Sequence, residues 1–204
     1  YGEATFAAKV GQPGGLVRIV HNGVAPAEFE PVEQAADATD LLFVGELRLL
    51  KGVDVLLRSL ARLKADGRAL TATLVGAGPD AEQFHAMAAE LGLGAAVRFP
   101  GALPARHAFG LGRLMVVPSR AESLPYIVLE AGAAGLPLIA TQVGGMAEIF
   151  GDDADLLIPP DDVAALAGAI VDRLDAPGQT AAQSGRLKQR IASGFSVTAM
   201  TDGV

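Results

Sequence analysis

Short runs of Val, Ile, Leu and Phe recur along the chain, and between them lie stretches where apolar residues return every third or fourth position. The short runs predict strands at Val17–Val20, Leu41–Val44, Leu70–Val75, Val97–Phe99, Leu114–Val117, Leu138–Ala140 and Leu156–Ile158. They are continuous rather than alternating, as expected of parallel strands buried on both faces. The longer stretches predict helices at Val53–Asp66, Asp80–Leu91, Ile127–Ala134, Val163–Leu174 and Ala181–Ala192. In the first of these, Val53, Leu56, Leu57, Leu60 and Leu63 form a single apolar stripe. Strand and helix alternate throughout, with no repeat at solenoid spacing, which predicts one α/β domain with a Rossmann-like, doubly wound parallel sheet. Pro26 to Asp40, rich in Pro, Ala and acids, reads as a surface connection.

Composition narrows the partners. The 204 residues carry 16 Lys and Arg against 23 Asp and Glu, a formal charge of −7, so nucleic acid is not an expected partner. Half the residues are hydrophobic, too many for a disordered chain. The longest uncharged run, the 17 residues from Ala131 to Ala147, holds Pro137 and four glycines and does not read as a membrane helix. There is no cysteine, which excludes thiolate chemistry and fits a cytoplasmic location. The three histidines, His21, His85 and His107, have no metal-ligand spacing, so no metal site is expected. The chain begins with Tyr1 rather than Met, which suggests a fragment.

In doubly wound folds ligands bind beyond the carboxyl ends of the strands, so the loops that follow them carry the chemistry. These loops are Gly45 to Gly52, with Arg48 and Lys51; Gly76-Ala77-Gly78-Pro79; Pro118 to Pro125, with Arg120 and Glu122; and Thr141 to Met146, with Gly144 and Gly145. Backbone amides exposed by glycine, helix N-termini and two cations together suit a phosphate-bearing ligand. Any one glycine could simply make its turn; the convergence of four loops favours the ligand. Glu130 follows Ile127, Val128 and Leu129, and a carboxylate so placed needs a strong partner or carries a desolvation cost. Arg120 reads either as a phosphate contact or as a surface residue.

These residues resemble the C-terminal, donor-binding domain of retaining GT-B glycosyltransferases of the group 1 (family 4) type. The resemblance runs in order through His21-Asn22-Gly23-Val24 with Phe29, Phe43-Val44-Gly45-Glu46-Leu47, Lys51-Gly52-Val53-Asp54, Leu74 to Pro79 and Val97 to Gly101. It is strongest over Pro118-Ser119, Glu122-Ser123-Leu124-Pro125 and Leu129-Glu130-Ala131, and continues through Gly135-Leu136-Pro137, Gly144-Gly145 and Leu156 to Asp162.

The resemblance implies one half of a two-domain enzyme that moves a sugar from a nucleotide to an acceptor with retention and without a metal, UDP- or GDP-sugars being the leading donors. It implies that residues 1–16 are a remnant of the interdomain connection, 17–192 the donor domain and 193–204 the start of a C-terminal helix. Lys51 would contact the diphosphate with the amides of Ser123 and Leu124, Glu122 the sugar hydroxyls, and Glu130 the ribose. Lys51 and Glu122 would carry the catalysis. Gly101 and Leu103 would face the base, Gly45 would line the donor site, and Gly144 and Gly145 would border it.

Two positions depart from the family pattern. Glu46 stands where the family carries arginine, so Arg48 would have to supply that charge; Pro125 replaces a glycine and suits a first helical position. The acceptor domain, and any peripheral association with the inner face of a membrane, would belong to the half not represented here, and the isolated chain is expected to be inactive. Three alternatives stand beside it. One is a non-catalytic nucleotide-binding domain, which Glu46 favours. A sugar-nucleotide epimerase would share the phosphate loops but not the paired glutamates. An NAD-dependent oxidoreductase is suggested by Gly76-Ala77-Gly78-Pro79-Asp80-Ala81, but no acid follows at Phe99 to Gly101 to hold a ribose.

Overall fold

The computed structural model describes residues 8–9, 11 and 22–202. Five strands, β1 (Thr39–Val44), β2 (Ala72–Val75), β3 (Val97–Gly101), β4 (Gly112–Val117) and β5 (Leu138–Ala140), form one parallel sheet in the order β3-β2-β1-β4-β5. The helices are α1 (Val53–Ala65), α2 (Ala81–Glu90), α3 (Ala105–Phe109), α4 (Tyr126–Ala134), α5 (Met146–Phe150), α6 (Val163–Asp175), α7 (Pro177–Gly194) and α8 (Val197–Asp202).

Successive strand residues point to opposite faces, and two cores result. Leu41 and Phe43 of β1, Leu114 and Val116 of β4 and Ile139 of β5 pack with α1, α2 and α6. Leu42, Met115, Val117, Leu138 and Ala140 pack on the other face with α3, α4, α5 and α7. With both faces covered, a strand has no polar side to alternate with, which is why the strands read as unbroken apolar runs. The sheet is doubly wound, as expected.

Several boundaries differ from the sequence reading. Leu156–Ile158 is not a strand: Leu156 ends a 3₁₀ segment (Gly151–Leu156), and Ile158 makes a single bridge to Thr141. Pro159 and Pro160 follow at once and cannot extend a ladder that needs N–H donors. β2 starts at Ala72 because Thr71, just before it, is held by the Asp40 carboxylate through both its N–H and its hydroxyl. α7 begins at Pro177 rather than Ala181, the proline occupying a first-turn position that needs no intrahelical donor. Ser193 and Gly194 belong to α7, and α8 is separate. α3, a five-residue helix, has no counterpart among the predicted helices, being too short to show an apolar period. The predicted strand Val17–Val20, His21 and all of residues 1–16 except 8, 9 and 11 lie outside the described residues. No helix among the described residues is long and apolar enough to cross a membrane.

Candidate functional site

The strand order reverses between β1 and β4, and their carboxyl ends diverge into the crevice where doubly wound sheets take ligands. A cleft of about 460 Å³ opens there. Gly45, Glu46 and Lys51 line it from the loop after β1, Ser119, Glu122 and Leu124 from the loop after β4, and Tyr126 and Ile127 from α4.

At its centre the Lys51 ammonium donates to Glu122 Oε1 at 2.6 Å, and the Ser119 hydroxyl donates to the same oxygen at 2.7 Å. Ser119 is buried, and its carbonyl accepts the Thr141 hydroxyl at 2.6 Å, so Glu122 is oriented through two successive hydrogen bonds. The Glu122 side chain is 10% exposed and that of Lys51 27%. Among the described residues Glu122 Oε2 receives no hydrogen bond, and an ammonium with three donors spends one on Glu122. The site therefore presents a free acceptor and unspent cationic donors to the same space.

Of the other residues singled out in the sequence, Gly45 and Leu124 line the cleft. Gly144 and Gly145 do not, but the Gly145 N–H donates to the Ser123 carbonyl at 2.7 Å and secures the loop that bears Glu122. Gly144 has φ +54°, and a Cβ there would lie 1.8 Å from the Glu122 carbonyl oxygen. Gly144→Ala is expected to destabilise the fold by about 1–3 kcal/mol through backbone strain alone, and the displaced loop should loosen the Lys51–Glu122 contact. A chemical denaturation curve checks the first effect.

Arg48 is exposed and lies 3.9 Å from Glu46, outside the cleft lining. Gly101 and Leu103 sit at and beyond the end of β3, away from the cleft lining. Glu130 is on the second turn of α4 and half-buried, and no hydrogen bond to its carboxylate is formed among the described residues. Burial, and to a lesser degree the neighbouring Glu28, push its carboxyl above the ordinary glutamate range. Glu28 itself sits 3.5 Å from Arg106.

Arg120 is not among the residues lining the cleft, and its side chain is three-quarters buried, turned to an acid inside the fold. Its guanidinium grips the buried Asp54 with two hydrogen bonds, at 2.8 and 2.9 Å, and Asp54 also takes Arg58 at 2.7 Å. Burial raises the Asp54 carboxyl, but Arg120 and Arg58 outweigh it and hold the group below its usual range. Tyr126, 48% exposed at the cleft wall, is a lining residue the sequence reading passes over; it takes the first position of α4, and Pro125, expected there, is the extended N-cap residue just before it. The glycine-rich loop at 76–79 serves the neighbouring loop: Leu47 N donates to Ala77 O, Asp80 N to Leu47 O, and Leu49 N to the Asp80 carboxylate. His85 is exposed and stacks on Phe99 with ring centroids 4.1 Å apart. Among the described residues no cluster of His, Asp or Glu could hold a metal ion.

Comparison with known proteins matches the family model of glycosyl transferases group 1 over residues 25–190. A D-inositol 3-phosphate glycosyltransferase of Acidothermus cellulolyticus is 33% identical over 79% of this chain and 41% of its own. The chain thus spans well under half of that relative. Among solved structures, a sucrose-phosphate synthase from Thermosynechococcus elongatus superposes with TM-score 0.82 at 26% identity, covering 97% of this chain and 53% of that one. HepE of Anabaena, solved in complex with UDP, gives TM-score 0.82 at 21% identity, covering 97% of this chain and 58% of its own.

Proposed function

The chain belongs to the glycosyl transferases group 1 family, and from that premise we propose that it is the donor-binding half of an enzyme that transfers a sugar from a nucleoside diphosphate to an acceptor hydroxyl, with retention and without a metal. The observation that carries the reading is the Lys51–Glu122 pair in the cleft at the β1/β4 reversal. It pairs a cation suited to a diphosphate with a carboxylate suited to sugar hydroxyls. HepE, of the same fold, was solved with UDP, which makes UDP the first probe and GDP the second.

In the reaction, the bond from the anomeric carbon to the diphosphate oxygen breaks with its electrons on that oxygen. The acceptor oxygen bonds to the same carbon, and its proton leaves with the diphosphate. Lys51 and the amides of Ser123 and Leu124, at the N-terminal end of α4, stabilise the growing negative charge, the role a metal plays elsewhere. Glu122, oriented by Ser119, accepts sugar hydroxyls on its free oxygen. Glu130 accepts the ribose hydroxyls, which explains a half-buried carboxylate that has no donor among the described residues. Gly101 and Leu103 border the base. The acceptor side belongs to the part of such relatives that this chain does not cover, so the chain alone binds donor without turning it over.

Calorimetric titration with UDP, GDP, ADP and NAD tests the reading. One nucleoside diphosphate is expected to saturate the protein, and Glu130→Ala to weaken it by about 1.5–3 kcal/mol. Ribose binding needs ionised Glu130, whose carboxyl is raised by burial and by Glu28, so affinity should fall on acidification at a higher pH than an ordinary glutamate would produce. The same raised carboxyl makes the folded chain bind protons more tightly than the unfolded one, so this group's effect on stability turns unfavourable as pH rises through its folded pKa. Preference for NAD would refute the reading. Glu46, a carboxylate lining the cleft beside Lys51, favours the alternative of a binding domain that has lost the reaction; nucleotide binding by an intact full-length protein that shows no sugar transfer would establish that alternative.

A further inference from the structure

We propose that Asp54 and Arg120 are positioning residues, a buried latch that sets Lys51 against Glu122 without either latch residue touching the ligand. This rests on the donor-site reading above and extends it to residues outside the cleft lining.

Lys51 and Glu122 lie 71 residues apart, on the loops that follow β1 and β4. The approach of their side chains to 2.6 Å requires the two loops to be held at a fixed separation. Sheet pairing cannot do this, because the β1–β4 register ends at Leu42 and Met115, before either loop begins. Beyond that point, Arg120 makes the connections. Its backbone N–H donates to the Leu50 carbonyl at 2.8 Å, and its guanidinium donates to the Leu49 carbonyl, so both residues preceding Lys51 are tied to the loop that bears Glu122.

The guanidinium is in turn fixed from two sides. Asp54, in the first turn of α1 and only 3% exposed, holds it with both carboxylate oxygens. Asp161 takes its Nε at 2.6 Å and has φ +59°, the one positive φ at a non-glycine position among the described residues. Such a conformation persists where surrounding contacts hold it. The close packing is visible at Gly52, where a Cβ would lie 1.9 Å from the Pro118 carbonyl oxygen. On the far side, the Asp80 carboxylate takes Leu49 N at 2.7 Å, so the turn bearing Lys51 is clamped from both flanks.

A planar fork that reaches two carboxylates and a carbonyl at once cannot be replaced by lysine without losing contacts. The test reads the Lys51 amine directly, by acetic anhydride labelling and mass spectrometry, with Lys64 as internal standard. Arg120→Gln is expected to raise the Lys51-to-Lys64 labelling ratio by about threefold or more as the charge pair loosens, and Arg120→Lys to raise it less. An unchanged ratio in Arg120→Gln overturns the latch, and so does a rise in Arg120→Lys, which keeps a cation facing Asp54, as large as that in Arg120→Gln.

UDP titration adds the second arm. In the natural sequence Arg120→Gln should weaken UDP by about tenfold, and in a Lys51→Ala background it should add little, because coupled residues are not additive. Equal losses in both backgrounds would mean a merely structural role and also overturn the latch. A raised labelling ratio with no UDP binding by the unaltered protein would support the latch and count against the donor-site reading alone.

Discussion

Replacing Asp54 by alanine is expected to lower stability by about 3 kcal/mol, a fall of about 6–12 °C in melting temperature for a domain of this size. Asp54 is 3% exposed at the side chain and satisfies two arginines. Its removal leaves Arg120, three-quarters buried, without its bidentate partner. The loss stays at the lower end for a broken buried pair because Arg120 keeps Asp161 and the Leu49 carbonyl. The pH dependence follows in sign. The folded carboxyl is held below its ordinary value, so its stabilisation is present above the unfolded pKa and fades as pH falls through the folded one. Asp54→Asn should lack that acid-side loss. The exposed pair Arg98–Asp37 is the contrast: Asp37→Ala should leave the melt unchanged, since a solvated pair contributes little. Equal shifts for Asp54→Ala and Asp37→Ala would contradict the burial argument.

Asp54 also shows where the sequence stops being legible. It lies between Val53 and Val55 on a helix whose apolar stripe is otherwise clear, and an acid in a first turn reads as a dipole partner facing water. Its burial depends on Arg120, 66 residues away, and no local pattern announces that pairing. Strands were legible for the opposite reason: burial on both faces writes itself into consecutive residues, as in Leu41-Leu42-Phe43. The same signal misled at Leu156–Ile158, where the apolar run is real but two prolines stop the ladder. For the site, the loops after β1 and β4 could be named from topology, because the crevice must lie at their ends. Which side chains meet there could not. Lys51 and Glu122 stand out in those loops as a cation and an acid, their roles come from resemblance to a family, and their 2.6 Å contact is a product of the fold.

That contact sets the largest functional prediction. Lys51→Ala is expected to weaken nucleoside diphosphate binding by about 3 kcal/mol, roughly a hundredfold or somewhat more. Two losses act in the same direction. The diphosphate loses charge-assisted hydrogen bonds from the ammonium, and Glu122, 10% exposed and now held by Ser119 alone, faces the incoming anion without a neutralising partner. In the full-length enzyme the loss should fall on kcat as well as on binding, because leaving-group charge grows in the transition state. Glu122→Gln separates the terms. It removes the carboxylate's repulsion of the diphosphate while weakening its hold on the sugar, so UDP alone should bind about as well as before while a UDP-sugar loses affinity. Arg48→Ala, at an exposed residue paired with Glu46 at 3.9 Å, should cost far less than Lys51→Ala. Calorimetry with UDP on the three variants decides the matter, and equal losses for Arg48→Ala and Lys51→Ala would place the diphosphate on the rim, beside Glu46, instead of in the cleft between β1 and β4.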